Sequence, residues 1–137
     1  DFLAAEFLAR AHALEDARAK QPELFDDLAT AYARAAHLGD ASLGSEVDRS
    51  LLGEAELRLL SACEDGGRNV EECLSRKDFE GACKALAELR EPIDRFFDDV
   101  LVMDEDTLVR ENRLRLLNRF AGVFSDVANV GALSRRK

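Results

Sequence analysis

Apolar residues recur at three- and four-residue steps along most of this chain, a spacing that predicts amphipathic helices. The clearest pattern lies between residues 90 and 129, where two such stretches are joined by a short acidic connection. Pro92 stands near the start of the first stretch, whereas Asp104 and Asp106 precede the second, and both residue types are favoured at helix starts. We therefore predict an αα-hairpin whose junction, Val102 and Met103, packs against the core.

Four further helical patterns precede this hairpin, over residues 1–20, 22–38, 50–77 and 79–89, and Asp78 is predicted to cap the start of the last one. The third contains the adjacent glycines Gly66 and Gly67, which can bend or split it because glycine is a poor helix former. Residues 39–48 hold two Gly and two Ser without a sustained apolar period, which is typical of a loop. The sequence therefore predicts an all-α fold: a single domain over 1–137, built as a bundle of five to seven helices, with a flexible tail at 129–137.

The net charge of −9 is unevenly distributed along the chain. Residues 107–137 carry +5, whereas residues 1–106 carry −14. An acidic chain is at first sight a poor partner for nucleic acid, but a basic end on an acidic body can mark an interaction surface. An Arg-rich, solvated helix face explains the same pattern, and charge alone favours that simpler interpretation.

The three cysteines, Cys63, Cys73 and Cys83, are ten residues apart, which is too wide for a zinc-binding pair. Their odd number, without a signal peptide, predicts reduced thiols in a cytoplasmic protein. No apolar run approaches the ~20 residues that a membrane-spanning helix needs, so no membrane partner is expected. The chain begins with Asp rather than Met, and we therefore expect it to be a fragment of a longer protein.

The sequence lacks a glycine-rich phosphate loop, a metal-ligand spacing and a nucleophile motif, so neither a catalytic site nor a metal site is predicted. Asp98 and Asp99 form the one suggestive carboxylate pair, but neighbours on a helix point about 100° apart and cannot easily share a proton. We predict instead that one of them pairs with Arg113, which lies on an apolar stripe and needs a partner there. These residues indicate a non-catalytic helical domain, either a binding module or a structural bundle.

Several short motifs with matched spacing run through the hairpin. They are Pro92-Ile93-Asp94, Phe96 to Val100, Val102-Met103 and Arg110-Glu111-Asn112-Arg113-Leu114-Arg115-Leu116-Leu117. Upstream, Lys77-Asp78-Phe79 precedes a short Ala-rich helix. In these motifs the chain resembles the C-terminal anticodon-binding domain of the bacterial glycyl-tRNA synthetase beta subunit, strongly over 77–128 and weakly over 1–50.

The resemblance implies a helical anticodon-binding domain of the class I-like synthetase type. The arginyl and cysteinyl synthetases use the same fold. The resemblance further implies a domain that holds the anticodon end of glycine tRNA and has no catalytic site of its own. In the parent enzyme, a glycine–tRNA ligase of α2β2 composition, the alpha subunit would perform catalysis with ATP and magnesium. No cofactor is expected in this chain, no DNA partner is expected, and the location would be cytoplasmic.

Two groups of residues are candidates for contact with tRNA, because cations hold the backbone of single-stranded RNA and planar side chains stack on its bases. They are Arg10, Arg34 and His37 on the first two helices, and Arg110, Arg115 and Arg119 on the last. Arg115 and Arg119 are expected to face away from the apolar stripe. Two alternatives remain open: a helical protein–protein interaction module, and the anticodon-binding domain of another aminoacyl-tRNA synthetase.

Overall fold

The computed structural model describes residues 2–128, which form an all-α bundle and confirm the predicted fold class. Its helices are α1 (Phe2–Lys20), α2 (Pro22–Leu38), α3 (Glu54–Ser75), α4 (Phe79–Ala87), α5 (Arg90–Asp99) and α6 (Thr107–Ala128). Two short 3-10 turns, Ala41–Leu43 and Arg49–Leu51, lie in the connection between α2 and α3. The predicted flexible tail at 129–137 lies outside the described residues.

The predicted helix starts are formed by local side-chain caps. Asp78 Oδ1 accepts a hydrogen bond from the Gly81 N–H at 2.9 Å and so begins α4. Asp106 Oδ1 accepts one from the Leu108 N–H at 3.0 Å at the start of α6. Each carboxylate satisfies a backbone donor that has no partner within its own helix. These starts were predictable because each cap and its donor lie within three residues of each other.

The core is formed by side chains from α2 to α6, with α3 and α6 running side by side. Arg113 pairs with Glu56 near the starts of these two helices, and Val123 lies beside Gly67 further along both, so they run in the same direction. The largest fully buried side chains include Phe96, Phe120, Leu28, Leu59, Leu60, Leu86, Leu89, Ile93, Leu116 and Leu117. Each such side chain contributes roughly 1.5–3 kcal/mol of burial free energy.

Helix α3 is continuous through its adjacent glycines, and one of them lets another element approach closely. A Cβ atom on Gly66 would lie 3.3 Å from Leu89 Cδ2, which shows how near the chain after α4 comes to α3 at this point. Gly66 is itself buried. The helix begins at Glu54, later than predicted, because residues 49–51 form a 3-10 turn instead.

The junction between α5 and α6 is only half buried, which corrects one prediction. Val102 is 6% exposed and belongs to the core, as expected, but Met103 is 53% exposed. Leu101 and Leu108, on either side of the junction, are 71% and 68% exposed. A short connection can turn only some of its side chains inward, so the apolar character of Met103 did not determine its position.

Three polar side chains of α6 hold the connection between α2 and α3 in place. The Asn112 side chain accepts a hydrogen bond from the Asp48 N–H at 2.7 Å and donates one to the Asp48 carbonyl at 2.9 Å. Arg115 Nε donates to the Leu43 carbonyl at 3.2 Å. Asn118 Nδ2 donates to the carbonyls of Asp40 and Gly44 at 2.9 and 2.7 Å. Spaced three residues apart, these side chains form one stripe along α6.

We expect Asn112→Ala to lower the free energy of unfolding by about 2–3 kcal/mol, because Asn112 is 1% exposed and its loss leaves two backbone groups of Asp48 without their partner. Urea denaturation followed by circular dichroism measures this change. The matched control is Asn69→Ala, an exposed Asn on α3, which should change stability by less than about 0.5 kcal/mol. Equal effects of the two substitutions would contradict the assigned role of Asn112.

Candidate nucleic-acid interface

Arg113 is a structural residue, but its predicted partner was wrong. Its Nε lies 3.3 Å from Glu56 Oε2, and its Nη1 lies 3.5 Å from Asp104 Oδ2. Arg113 Nη1 also donates to the Leu101 carbonyl. Neither Asp98 nor Asp99 contributes to this site.

Glu56 can accept this pairing because it is already fixed at the start of α3. It is 4% exposed, and its Oε1 accepts a hydrogen bond from the Gly53 N–H at 3.3 Å. One carboxylate therefore caps α3 and neutralises a cation of α6. Arg113, with its side chain 16% exposed, then ties both helices to the end of α5 through the Leu101 carbonyl.

Three of the six candidate residues donate hydrogen bonds to backbone carbonyls of the protein itself. Arg10 Nη2 donates to the Asp126 carbonyl at 2.7 Å, and its guanidinium carbon lies 5.7 Å from the centre of the Phe79 ring. Arg110 Nη1 donates to the Asp104 carbonyl at 3.1 Å. Arg115 holds the α2–α3 connection, as described above, so its prediction as a side chain free for a partner was wrong. Each of these arginines therefore makes a structural contact within the domain.

The candidate residues also fail to form one surface. Arg10 contacts the C-terminal end of α6 at Asp126, whereas Arg110 lies in its first turns. The rise of 1.5 Å per residue separates these two positions by about 24 Å. Arg119 lies near Cys63 of α3, and within residues 2–128 it forms no hydrogen bond or ion pair.

The second helix presents the two candidates that are exposed together. Arg34 is exposed, and its guanidinium carbon lies 4.2 Å from the centre of the Phe97 ring on α5. That distance is within the range of a cation–π contact, which holds the guanidinium plane in place on the surface. His37 is also exposed and follows one turn later on the same face of α2. Of the predicted residues, Arg34 and His37 are the best placed to meet RNA.

A groove between α2 and α5 surrounds the Arg34–Phe97 contact. Arg90 lies at one end, where its Nη2 donates to Asp27 at 3.0 Å and its Nε lies 3.3 Å from Asp94 Oδ2. The Asp27–Arg90 and Arg34–Phe97 contacts are two turns apart on both helices, so α2 and α5 run in the same direction. The groove has a volume of about 330 Å³ and its lining residues are Asp27, Thr30, Ala31, Arg34, Asp94, Phe97 and Asp98.

The electrostatics of this groove are mixed rather than basic. Burial raises the pKa of Asp94 above its ordinary value, and the nearby Asp27 raises it further, while Arg90 acts in the opposite direction. The groove thus combines carboxylates, one hydroxyl, one cation and one aromatic ring. Such a set can stack on a planar base and exchange hydrogen bonds with its edge. Phe97 is half-buried, and this position makes it part of the surface.

The described part of the chain gives little support for a metal site, a cysteine nucleophile or a membrane-spanning helix. Residues 2–128 contain no group of three or more side chains that could hold a metal ion. Burial raises the pKa of the Cys63 thiol to about 12 and that of Cys83 to about 11, so neither is a ready nucleophile. Among the described helices, none has the length and apolar character required to cross a membrane.

Comparison with known families identifies the fold. Residues 28–130 match the family model described as the DALR anticodon binding domain. The chain belongs to this family. The resemblance inferred from the motifs of the hairpin is therefore confirmed.

Three relatives of the chain share one name. The glycine–tRNA ligase beta subunit of Desulforudis audaxviator is 42% identical over 107 residues, which are 77% of this chain and 16% of the relative. The corresponding proteins of Marinobacter nauticus and Aliivibrio fischeri are 43% and 39% identical over 96 and 97 residues, 69% and 70% of this chain and 14% of each relative. The chain thus spans 14–16% of the length of these relatives.

We expect Arg113→Ala to lower the free energy of unfolding by about 3–5 kcal/mol, because it leaves the buried Glu56 carboxylate without its cation. Thermal and urea denaturation measure the loss. Arg68→Ala is the matched control, since Arg68 is exposed and pairs only with the exposed Asp65 within the described residues. A loss below about 1 kcal/mol for Arg113→Ala would show that the pair behaves like a surface ion pair.

Proposed function

We propose that this chain is the tRNA anticodon-binding domain of a glycine–tRNA ligase beta subunit. The observation that carries the proposal is its family membership over residues 28–130, together with relatives named as that subunit. The domain would hold the anticodon end of glycine tRNA while the amino acid is attached elsewhere. It contributes binding and position rather than a catalytic group.

The contact surface proposed here is the outward face of α2 with the adjacent part of α5. Arg34 is the primary residue, since its guanidinium is exposed and already oriented by Phe97. His37 can stack on a base or hydrogen-bond to it one turn further along. Single-stranded anticodon bases are recognised by such stacking and edge contacts, which do not need a strongly basic domain. An overall charge of −9 is compatible with a contact confined to one small surface.

We also propose the setting in which this domain acts. The name beta subunit, carried by the relatives, implies an alpha subunit as partner of the parent protein. ATP and magnesium would be bound on that catalytic subunit, with no cofactor on this chain. The parent protein would work in the cytoplasm, where tRNA is aminoacylated.

A second candidate function is a protein–protein contact at the α5–α6 junction. Leu101, Met103 and Leu108 are more than half exposed there, which is unusual for large apolar side chains. The occupant we would expect is another part of the same parent protein, because the chain spans 14–16% of its relatives. The two functions are compatible, and salt separates them because an apolar contact lacks the steep salt dependence of phosphate binding.

Affinity for an RNA hairpin carrying the glycine anticodon tests the main proposal. We expect this chain to bind it more tightly than a hairpin with a scrambled anticodon in fluorescence anisotropy at low salt. The logarithm of the affinity should fall by about 0.7 per neutralised phosphate for each tenfold rise in salt. Equal affinity for both hairpins would leave only backbone attraction and contradict anticodon recognition.

Reversal of the Arg34 charge tests the assigned surface. Arg34→Glu should weaken binding of the glycine hairpin by about tenfold or more, because it removes a charged contact to RNA. Stability should change by less than about 1 kcal/mol, since an exposed cation–π contact contributes no more than that. Arg68→Glu makes the same charge change on α3, where no candidate residue lies, and should leave most of the affinity intact. Equal losses would exclude a specific role for Arg34.

A further inference from the structure

One carboxylate in the α2–α5 groove has no partner in the described part of the chain. Asp27 and Asp94 are both held by Arg90. Asp98, next to Phe97 in the chain, lines the same groove and is exposed, yet within residues 2–128 it forms no hydrogen bond or ion pair. It therefore presents two oxygen acceptors beside the surface formed by Arg34 and Phe97.

An unpaired carboxylate is unfavourable for phosphate binding, because the like charges repel each other. The same carboxylate is well suited to the edge of a base that carries an exocyclic amine. Carboxylates accept a hydrogen bond from N4 of cytosine, whereas uracil presents an acceptor, O4, at that position and is repelled. The groove, at about 330 Å³, is within the lower range of ligand pockets, which is roughly 300–1,000 Å³.

We propose that Asp98 is a specificity-determining residue that accepts a hydrogen bond from the exocyclic amine of a cytosine stacked on the Arg34–Phe97 contact. This inference rests on the proposed function. Phe97, the Arg34 guanidinium and the base would form three successive planar layers, an arrangement that RNA-binding proteins use for unpaired bases. Glycine codons begin with two guanines, so each glycine anticodon carries two cytosines that can present this amine.

The test compares two variants against RNA hairpins that differ in one functional group. Asp98→Ala removes the acceptor, and Asp99→Ala is the matched control, because it removes an adjacent exposed carboxylate that lines a different pocket with Gly53 and Arg95. Each protein is titrated with the glycine hairpin and with hairpins in which one anticodon cytosine is replaced by uracil or by 2-pyrimidinone, which lacks the amine. Circular dichroism confirms that both variants fold like the unsubstituted chain.

We expect the unsubstituted chain to prefer cytosine over 2-pyrimidinone by about tenfold at one anticodon position. Asp98→Ala should reduce that preference to less than about twofold, whereas Asp99→Ala should keep it. The inference is overturned if both variants keep the preference for cytosine. It is also overturned if both variants merely raise the affinity for every hairpin through loss of negative charge, because Asp98 then does not determine specificity. If the unsubstituted chain does not distinguish the glycine hairpin from a scrambled one, the proposed function itself fails.

Discussion

The contact between Asn112 and the backbone of Asp48 fixes the arrangement of the bundle. A buried amide side chain meets both hydrogen-bonding groups of one residue, so it holds the α2–α3 connection in a single register against α6. Because α3 starts directly after this connection, the same contact determines where Glu56 stands relative to Arg113. The position of α3 then sets the positions of α4 and α5, which pack on it. The amide of Asn112 is buried, and a buried amide without a partner is costly, which makes the alternative registers unfavourable.

This constraint explains why the motif residues of α6 serve the fold rather than the surface proposed for RNA. Arg110, Asn112, Arg113 and Arg115 all make contacts that hold α6 to other parts of the chain. The surface proposed for RNA lies instead across α2 and the end of α5, where Arg34 rests on Phe97. The bundle thus separates a rigid internal side from an outer face whose side chains are available to a ligand. That separation would let an acidic protein present the small surface proposed for RNA without losing its fold.

The sequence predicted those features that depend on nearby residues. The caps Asp78 and Asp106 act within three residues, and the helical periodicity needs only one turn of neighbours. The need of Arg113 for a partner followed from its place on an apolar stripe, but Glu56 is 57 residues away and sequence spacing could not select it. For the same reason, a position on a polar helix face could not show which arginine is exposed, as Arg34 is, and which is held by the protein. Arg115 is held by the Leu43 carbonyl, which lies 72 residues away in the sequence. Asp98 is the reverse case, since the groove that it lines and its lack of a partner within residues 2–128 are visible only in the folded structure.

Whether anticodon bases meet the α2–α5 surface is decided by where the RNA binds on this chain. Amide chemical shifts of this chain, recorded during titration with the glycine anticodon hairpin, give that location residue by residue. We expect the largest changes at Arg34, His37, Phe97 and Asp98, with little change along α3. Changes concentrated at the α5–α6 junction around Met103 and Leu108, with the α2 face unaffected, would contradict it.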